Sequence, residues 1–341
     1  MRRSGLGRYA LCSCVAAALL AGCGGSQPPI GAPGAMPQSR THATTACPCL
    51  YVANVLYGRV TVYPLGATGN VKPIQEITGP KTRLAHPHGI AVDGSGKIYV
   101  ANLAPSSVTV YAAGATGNAK PIEIISGSKT ELTTPLGIAL DSANGDIYVS
   151  NGESGRSELG SITAYAAGSH GDVSPIGVIQ GSKTRLYYPH YIAFDATRNI
   201  EVTNYNNTVT FYSARRTGNI APVRIIAGIH TRIKDPIEVA VDSSLKTYIA
   251  NAHGNSVAVY APGASGNAAP VQYIHGGRTS LHIASGVAVD SDGNIYAGSG
   301  LFGNTSIITV YGPGSNGNVR PLGTIQGDNT GLDYPAGIAV H

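Results

Sequence analysis

One segment of this chain recurs along almost its whole length. It reads PHGIAVDGSGKIYVAN at residues 87–102, and related segments begin at residues 135, 189, 236 and 284. A shorter copy, PAGIAVH, forms residues 335–341, and CLYVAN at 49–54 matches only the second half. Successive copies begin 47 to 54 residues apart. A period of that length with strand-like patterning predicts a repeat fold, in which each repeat packs against its neighbours.

Each repeat divides into four short predicted strands. The recurring segment supplies the first two, GIAVD and IYVAN, and a run such as VTVY supplies the third. A Gly-rich turn leads to the fourth, as in AGATGNAKPIEII at 113–125. The runs are β-branched and aromatic, and Gly, Asn, Asp and Pro bound them, as is typical of strands and turns. The third strand recurs at 60–63, 108–111, 162–165, 209–212, 257–260 and 308–311.

Six third strands predict an all-β fold, a six-bladed β-propeller of four-stranded blades. The blade that starts at residue 49 lacks an innermost strand, whereas residues 335–341 are an innermost strand with nothing after them. We expect the C-terminal strand to pair with the first blade and close the ring, which removes two open strand edges.

The pattern P-x-G-I-A-V-D…I-Y-V-A-N resembles that of NHL-repeat six-bladed propellers, and the resemblance covers residues 47–341. This resemblance implies the fold. It implies no single activity, because one such fold hosts many functions.

The start of the chain has the composition of an export signal. Arg2, Arg3 and Arg8 precede an apolar run at 11–21, which is too short to span a bilayer as a stable helix. The run ends in Leu-Ala-Gly-Cys, which resembles the bacterial lipobox and so implies cleavage before Cys23 and acylation of that residue. Acyl chains anchor a protein to a membrane surface without spanning it. The alternative is an ordinary signal peptide that contains a cysteine by chance.

The residues between this cysteine and the first strand are crowded with Gly, Pro and Ser, which predicts a disordered tether. We therefore expect a signal peptide (1–22), a tether (23–46) and a propeller (47–341). The expected location is the bacterial cell envelope outside the cytoplasm. By resemblance to other lipoproteins, Gly24 and Gly25 favour the outer membrane, because lipoproteins kept at the inner membrane often carry Asp there.

The charge balance argues against a nucleic-acid partner. The chain has 23 Lys and Arg against 18 Asp and Glu, a formal charge of +5. Removal of the three signal-peptide arginines leaves 20 basic residues against 18 acidic ones, or +2. The sequence shows no basic helix or RNA-binding motif, so we expect no nucleic acid among the partners. We expect the protein to be monomeric.

Residues that recur from blade to blade are interpreted as structural. An Asp ends the innermost strand before a tight turn, where its carboxylate can cap amide groups. An Asn ends the second strand, and we interpret it in the same way. The recurring tyrosines are expected to pack between blades. The Asp and Asn positions are Asp93, Asp141, Asp195, Asp242 and Asp290, and Asn54, Asn102, Asn151, Asn204 and Asn251.

Departures from the repeat are the candidate functional positions. The residue after the recurring proline should lie at the mouth of the central channel. The next residue is Gly in four blades but Tyr191 and Glu238 in the other two. The loops after the second strand are longest at 152–161 and 300–307. The residues after the proline are His88, Leu136, His190, Ile237, Ser285 and Ala336.

The fourth blade departs most from the repeat. It has Glu201 where other blades have Tyr, and Arg215 and Arg216 where others have a Gly-rich turn.

One hypothesis is a zinc-dependent lyase or hydrolase at the channel mouth. His88 and His190 occupy the same repeat position two blades apart, as do the Pro-His motifs of the peptide-amidating lyase propellers that this pattern resembles. In such a threefold arrangement the third ligand would be Ser285, which binds zinc weakly. His282 and Glu238 are the substitutes, although neither is in register.

In this hypothesis Tyr191 is the catalytic acid or base. A sugar-lactone hydrolase is disfavoured, because none of the six residues after the proline is acidic or an amide.

The hypothesis that requires least of the sequence is a binding or scaffold module for a protein or a glycan, because a rigid ring with variable loops suits recognition. A purely structural protein of the envelope is the remaining alternative.

The links between blades are basic. They read GPKTRL, GSKTEL, GSKTRL, GIHTRI, GGRTSL and GDNTGL, and we expect all six on the channel-mouth face. Arg83, Arg185 and Arg232, with Glu238 and Ser285 at the mouth, are the candidate ligand-binding residues. They predict an anionic glycan or lipid head group as ligand, unless the charges only keep a solvated rim soluble. The charged link residues are Lys81, Arg83, Lys129, Lys183, Arg185, Arg232 and Arg278, opposed by Glu131 and Asp328.

Overall fold

The computed structural model describes residues 48–152, 159–300 and 306–341. In these ranges 24 β-strands form six four-stranded antiparallel sheets, and the one helix is a 3₁₀ turn at Ser128–Thr130. The predicted all-β, six-bladed propeller is confirmed. Within the same ranges, the structure contains no helix of the length and apolar character needed to cross a membrane.

From the axis outward, blade 1 consists of β24 (Pro335–Val340), β1 (Cys49–Asn54), β2 (Arg59–Pro64) and β3 (Gln75–Ile77). Blade 2 consists of β4 (Pro87–Val92), β5 (Ile98–Asn102), β6 (Ser107–Tyr111) and β7 (Glu123–Ile125). Blade 3 consists of β8 (Pro135–Leu140), β9 (Ile147–Asn151), β10 (Ser161–Tyr165) and β11 (Gly177–Ile179).

Blade 4 consists of β12 (Pro189–Phe194), β13 (Asn199–Asn204), β14 (Thr208–Ser213) and β15 (Arg224–Ile226). Blade 5 consists of β16 (Pro236–Val241), β17 (Thr247–Asn251), β18 (Ser256–Tyr260) and β19 (Gln272–His275). Blade 6 consists of β20 (Ala284–Val289), β21 (Ile295–Ser299), β22 (Ile307–Tyr311) and β23 (Gly323–Ile325).

The C-terminal strand closes the ring as predicted. Strand β24 pairs antiparallel with β1, so that Val52 lies opposite Ile338. At the start of β1, the Cys49 amide donates to the carbonyl of His341, the residue after β24, at 2.7 Å, and the His341 amide donates to the Cys49 carbonyl at 3.0 Å. Strand β24 also packs against β20 and β4, the innermost strands of its two neighbouring blades. Cys49 itself is buried, whereas Cys47 lies outside the described residues.

The hydrophobic core lies between the blades. Each of six buried clusters combines side chains from two adjacent sheets. In the cluster between blades 1 and 2, for example, Val60 and Val62 pack with Ile98 and Val100, and all four are fully buried. Burial of one such side chain contributes about 1.5–3 kcal/mol, so every blade depends on both neighbours for stability.

The tyrosine that ends each third strand is part of this core. All six are fully buried, and each hydroxyl donates to the carbonyl of the threonine in the link that enters the same blade. In blade 2 the Tyr111 hydroxyl lies 2.6 Å from the Thr82 carbonyl. The tyrosines therefore pack between blades, as predicted, and also fix the links.

A second contact joins each blade to the next. The Gly-rich turn after the third strand reaches the outer strand of the preceding blade, where Gly117 forms a parallel bridge with Ile77. The side-chain oxygen of Asn118 also accepts a hydrogen bond from the Lys81 amide at 2.7 Å. Gly79 has a φ of 115°, and a Cβ atom on it would lie 2.8 Å from Asn118. Five equivalent contacts, including one from blade 6 to blade 1, complete the ring.

The recurring Asp residues cap turns as predicted, but the Asn residues do not. The Asp93 carboxylate accepts the amides of Ser95 and Lys97 at 2.9 and 3.0 Å, within its own turn. The Asn102 side chain instead accepts the amide of Ala85, seventeen residues earlier in the link, at 3.1 Å. The Asn residues therefore hold the links, because the second strand ends beside the link that enters its blade.

Glu201 in blade 4 is buried. It is 1% exposed, and among the described atoms one of its carboxylate oxygens has no hydrogen-bond partner. Burial raises its pKa to about 7, although the Thr247 hydroxyl and the Arg224 charge act in the opposite direction. The corresponding tyrosines of other blades, such as Tyr99, donate instead to the turn Asp.

Deletion of residues 333–341 should abolish cooperative folding. It would remove β24, leave β1 without its inner partner and expose apolar surface on both sides of the gap. We expect insoluble protein, or soluble protein without a sharp thermal transition by circular dichroism. Deletion of His341 alone, which leaves β24 intact, is the matched control. A sharp wild-type transition in the longer deletion would contradict the closure.

Candidate functional site: the channel and the link face

The six innermost strands form the wall of the central channel, and they lie very close together. A Cβ atom on Gly89 would come within 2.6 Å of the Leu136 carbonyl oxygen in the next blade. A Cβ atom on Gly137 would come equally close to the Cα atom of Tyr191. Backbones that approach so closely require glycine. Gly89, Gly137 and Gly337 therefore allow backbone contact between neighbouring blades, and Gly286 leaves room for the Ile338 side chain.

Tyr191 and Glu238 take the place of glycine in blades 4 and 5. A side chain that projected into an open channel would be exposed to water, but these two are only 3% and 5% exposed. Protein atoms therefore fill the channel at this level, which we call the waist.

The Glu238 carboxylate connects three blades at the waist. It accepts the amide of Val287 in blade 6 at 2.7 Å and the amide of Ile338 in blade 1 at 3.1 Å. An innermost strand has a hydrogen-bonded neighbour on one side only, so amides on its other edge need a partner from elsewhere. Glu238 supplies that partner for two of them. Burial raises its pKa well above the usual range, and the two backbone hydrogen bonds act against this rise.

Tyr191 keeps its proton at neutral pH. Burial raises the pKa of its hydroxyl well above the usual range, and the nearby Glu238 adds to the rise. No described atom forms a hydrogen bond with this hydroxyl. Tyr191 can therefore donate a hydrogen bond, but it is a poor base. Its catalytic role stays a prediction.

The two predicted zinc ligands are neutral at pH 7. Burial is the main cause that lowers the pKa of His88, to about 4, and the charges of His190 and His86 add to it. Burial also lowers the pKa of His190. His190 Nδ1 lies 2.7 Å from the Pro236 carbonyl, so Nδ1 carries the proton and donates. Neutral imidazoles of this kind can bind metals.

The other candidate ligands do not complete a zinc site. The Ser285 hydroxyl donates to the Pro335 carbonyl at 2.7 Å, the Glu238 carboxylate is held by backbone amides, and His282 is exposed. Among the described residues no group of three or more His, Cys, Asp or Glu side chains could hold a metal ion. None of these three side chains joins His88 and His190 in such a group, and the metal site stays a prediction.

Beyond the waist, on the side away from the links, the channel opens into a cup that is lined mainly by aliphatic residues and the backbone of the innermost strands. Its cavity of about 310 Å³ is lined by innermost strands of all six blades, with Tyr191 and Glu238 at its base. Ile90, Ile138 and Phe194 are typical of its wall.

An aromatic cluster lies at the mouth in blade 4. The Tyr188 and Tyr205 rings meet the His190 ring edge to face, with centroids 5.7 and 5.8 Å away. Tyr205 is 54% exposed. No sequence pattern points to this cluster, because neither tyrosine lies at one of the two positions where tyrosine recurs from blade to blade.

The links form one face of the ring, here called the link face: residues 79–84, 127–132, 181–186, 228–233, 276–281 and 327–332. The loops after the second strands lie on the same face. In blade 2, for example, Leu103 begins such a loop, and its amide donates to the carbonyl of His86, just after the link, at 3.2 Å. All seven predicted basic side chains of the links are exposed, as are Glu131 and Asp328. The two longest loops lie mostly outside the described residues.

The fifth residue of every link has a left-handed backbone. Arg83, Arg185 and Arg232 have φ angles of 63°, 61° and 63°, and the other three links have similar values. In blade 1 the position is occupied by Gly331, with a φ of 69°. The backbone of this turn therefore suits glycine, but three blades carry arginine there, and blades 3 and 6 carry Glu131 and Ser280.

Comparisons with known proteins agree with the fold. No protein-family model and no curated protein sequence matches the chain. The chain is similar to a solved structure of a protein of unknown function from Bacteroides caccae, with a TM-score of 0.61 and 9% identity over 86% of this chain and 98% of that one. It is also similar to a chain in the crystal structure of a nidogen/laminin complex, with a TM-score of 0.60 and 16% identity over 86% and 97% of the two chains. At such identities the likeness establishes the six-bladed propeller fold alone.

Glu238→Ala should destabilise the propeller. It would leave the Val287 and Ile338 amides without their partner, which costs about 2–4 kcal/mol of unfolding free energy. Glu238→Gln keeps an acceptor oxygen, so it should cost less than about 1 kcal/mol. Urea denaturation monitored by fluorescence would measure both values.

The same pair of variants gives a pH test. Because the folded form holds the Glu238 proton more tightly than the unfolded form, this group stabilises the fold most at low pH, and that contribution is lost as pH rises above the usual glutamate range. Glu238→Gln should remove this part of the pH dependence. Equal stability of the Ala variant and the wild type at every pH would contradict the role assigned to Glu238.

Proposed function

We propose that the protein is a lipid-anchored, extracytoplasmic binding module of the NHL-repeat type, and that its link face binds an anionic glycan. The observation that carries the proposal is the set of exposed arginines held in left-handed backbone at equivalent positions of three links.

Arginine at these positions carries a cost. A non-glycine residue with left-handed backbone is less stable by about 1–2 kcal/mol, and Gly331 shows that glycine fits the same turn. The three arginines form no ion pair within the described part of the chain. Residues held in unfavourable backbone conformations often serve function rather than stability. Their free guanidinium groups are suited to carboxylate or sulfate groups of a ligand.

The charge distribution supports the same ligand class. Seven exposed basic side chains lie on the link face against two acidic ones, although the propeller and tether together are almost neutral. A concentrated positive face raises the local concentration of a polyanion and speeds its association. The exposed Tyr205 beside the mouth adds an aromatic surface on which a sugar ring can stack.

Membrane attachment completes the proposal. The Leu-Ala-Gly-Cys motif and the Gly/Pro/Ser-rich stretch after it support a tether that holds the ring away from the membrane surface. The structure of the nidogen/laminin complex offers an analogy for a propeller of this fold that is found with another protein. It is an analogy of fold only.

Replacement of Arg83, Arg185 and Arg232 together by Gly should weaken binding to an anionic polysaccharide such as polygalacturonate. Loss of three exposed charge contacts predicts roughly a tenfold lower affinity, and the salt dependence of binding should become shallower. The thermal midpoint should stay the same or rise, because glycine suits the backbone. Affinity would be measured by biolayer interferometry at several salt concentrations.

The matched control replaces Lys72, Lys120 and Arg320 by Gly. These three exposed basic residues share a repeat position outside the links, so the control loses the same charge. Equal loss of affinity in both triple variants would contradict a specific link face. Binding of the wild type to anionic lipid vesicles but not to the polysaccharide would contradict the glycan as ligand.

Cys23→Ser should release the protein from the membrane. Without the thiol no acyl chain can be attached, so the variant should move from the detergent phase to the aqueous phase in a phase-separation assay. Mass spectrometry of the wild-type protein should find acyl groups on Cys23. A wild-type protein that stays in the aqueous phase would contradict the anchor.

A further inference from the structure

One groove between blades 3 and 4 collects several departures from the repeat. Ala164 stands in the third strand, where the other blades carry Val or Phe, and Gly177, like Gly323 in blade 6, begins the outer strand without a side chain. Arg215 and Arg216 replace a glycine and a small residue at the start of the Gly-rich turn of blade 4. The residues equivalent to Ala164 are Val62, Val110, Phe211, Val259 and Val310, and those equivalent to Arg215 are Gly66, Gly114, Gly168, Gly263 and Gly314.

The small residues leave space. The groove has a cavity of about 260 Å³, and its floor is formed by Ile162, Ala164 and Ile179, which are 1%, 6% and 2% exposed. A valine in place of Ala164 and a longer residue in place of Gly177 would fill part of this volume. Arg215 and Arg216 lie on the rim and are exposed.

The rim carries an excess of positive charge. Asp146 also lines the groove, and its carboxylate accepts a hydrogen bond from Asn144 at 2.5 Å. Neither rim arginine forms an ion pair with a described acidic residue, whereas the nearby Arg198 is paired with Asp141. Two guanidinium groups without partners next to an apolar floor suit a ligand that has both an anionic and an apolar part.

The backbone of Arg215 points to a role for its side chain. Its φ is 64°, in the left-handed region that the five equivalent glycines also occupy. Arginine is less stable than glycine in that conformation, so it does not improve the turn itself.

We propose that this groove binds a small carboxylate with an apolar body, such as an arylacetate. The carboxylate lies between the guanidinium groups of Arg215 and Arg216, and the apolar body lies on the floor formed by Ile162, Ala164 and Ile179. The groove is separate from the link face. It lies where third strands end, and the links lie at the other end of the ring, where innermost strands begin.

Phenylacetate is the probe, and its binding to the wild-type protein would be followed by NMR titration. A ligand of this size in an open groove should bind with a Kd on the order of 1 mM. Phenylacetamide has the same shape without the charge, and inorganic phosphate has charge without the apolar body, so both should bind at least about tenfold more weakly.

Arg215→Gly restores the residue of the other five blades. It should weaken phenylacetate binding about tenfold or more, while the thermal midpoint stays the same or rises. Ala164→Val should also weaken binding, because it fills the floor. Lys120→Ala, in the corresponding turn of blade 2, is the matched control and should bind phenylacetate like the wild type.

Four results would contradict the proposal. The first is that the wild type does not bind phenylacetate at 20 mM, a concentration well above the expected Kd of about 1 mM. The second is that Arg215→Gly binds phenylacetate as well as the wild type does, and the third is a clearly lower thermal midpoint for that variant. The third result would mean that Arg215 stabilises the turn. Phosphate that binds as tightly as phenylacetate would also contradict an amphipathic site.

Discussion

Each innermost strand of the propeller has a hydrogen-bonded neighbour on one side only, and its other edge faces the channel. Edge amides of this kind must find partners or be covered by packing. In four blades a glycine brings the strand against its neighbour. In blade 5 the carboxylate of Glu238 accepts edge amides from blades 6 and 1, and Tyr191 fills the adjacent space. At the waist the ring is therefore packed up to its axis.

A filled waist determines which surfaces are free for function. With the waist filled, the surfaces left open to a ligand are the two ends of the ring and the grooves between blades. The same departures from the repeat mark these places. Arginine occupies left-handed backbone both on the links, as at Arg185, and in the groove, where Arg215 replaces the glycine of the other five blades. In both places glycine would make the backbone more stable than arginine does. The feature that arginine contributes there is therefore an exposed positive charge.

The sequence predicts the architecture well because the signals for it are local and repeated six times. Strand order, blade number and closure by residues 335–341 all follow from the period and its incomplete first copy. Contacts between distant residues could not be predicted in this way. Asn118 lies in the sequence of an ordinary Gly-rich turn. Its side chain nevertheless accepts a hydrogen bond from the Lys81 amide, in the link that enters the same blade. The repeat position predicts Ser285 as a ligand-binding residue; its hydroxyl donates a hydrogen bond to a carbonyl of the next blade, a partner that no spacing in the sequence reveals.

The most direct test of the packed axis is native-state hydrogen exchange at the amides of Val287 and Ile338, read by mass spectrometry with residue resolution. If Glu238 accepts these amides in a dry waist, both should exchange as slowly as amides inside strand β17. Exchange as fast as that of Gly94, in an exposed turn, would show that water fills the waist. In that case the channel, rather than the link face, would be the first place to look for a ligand.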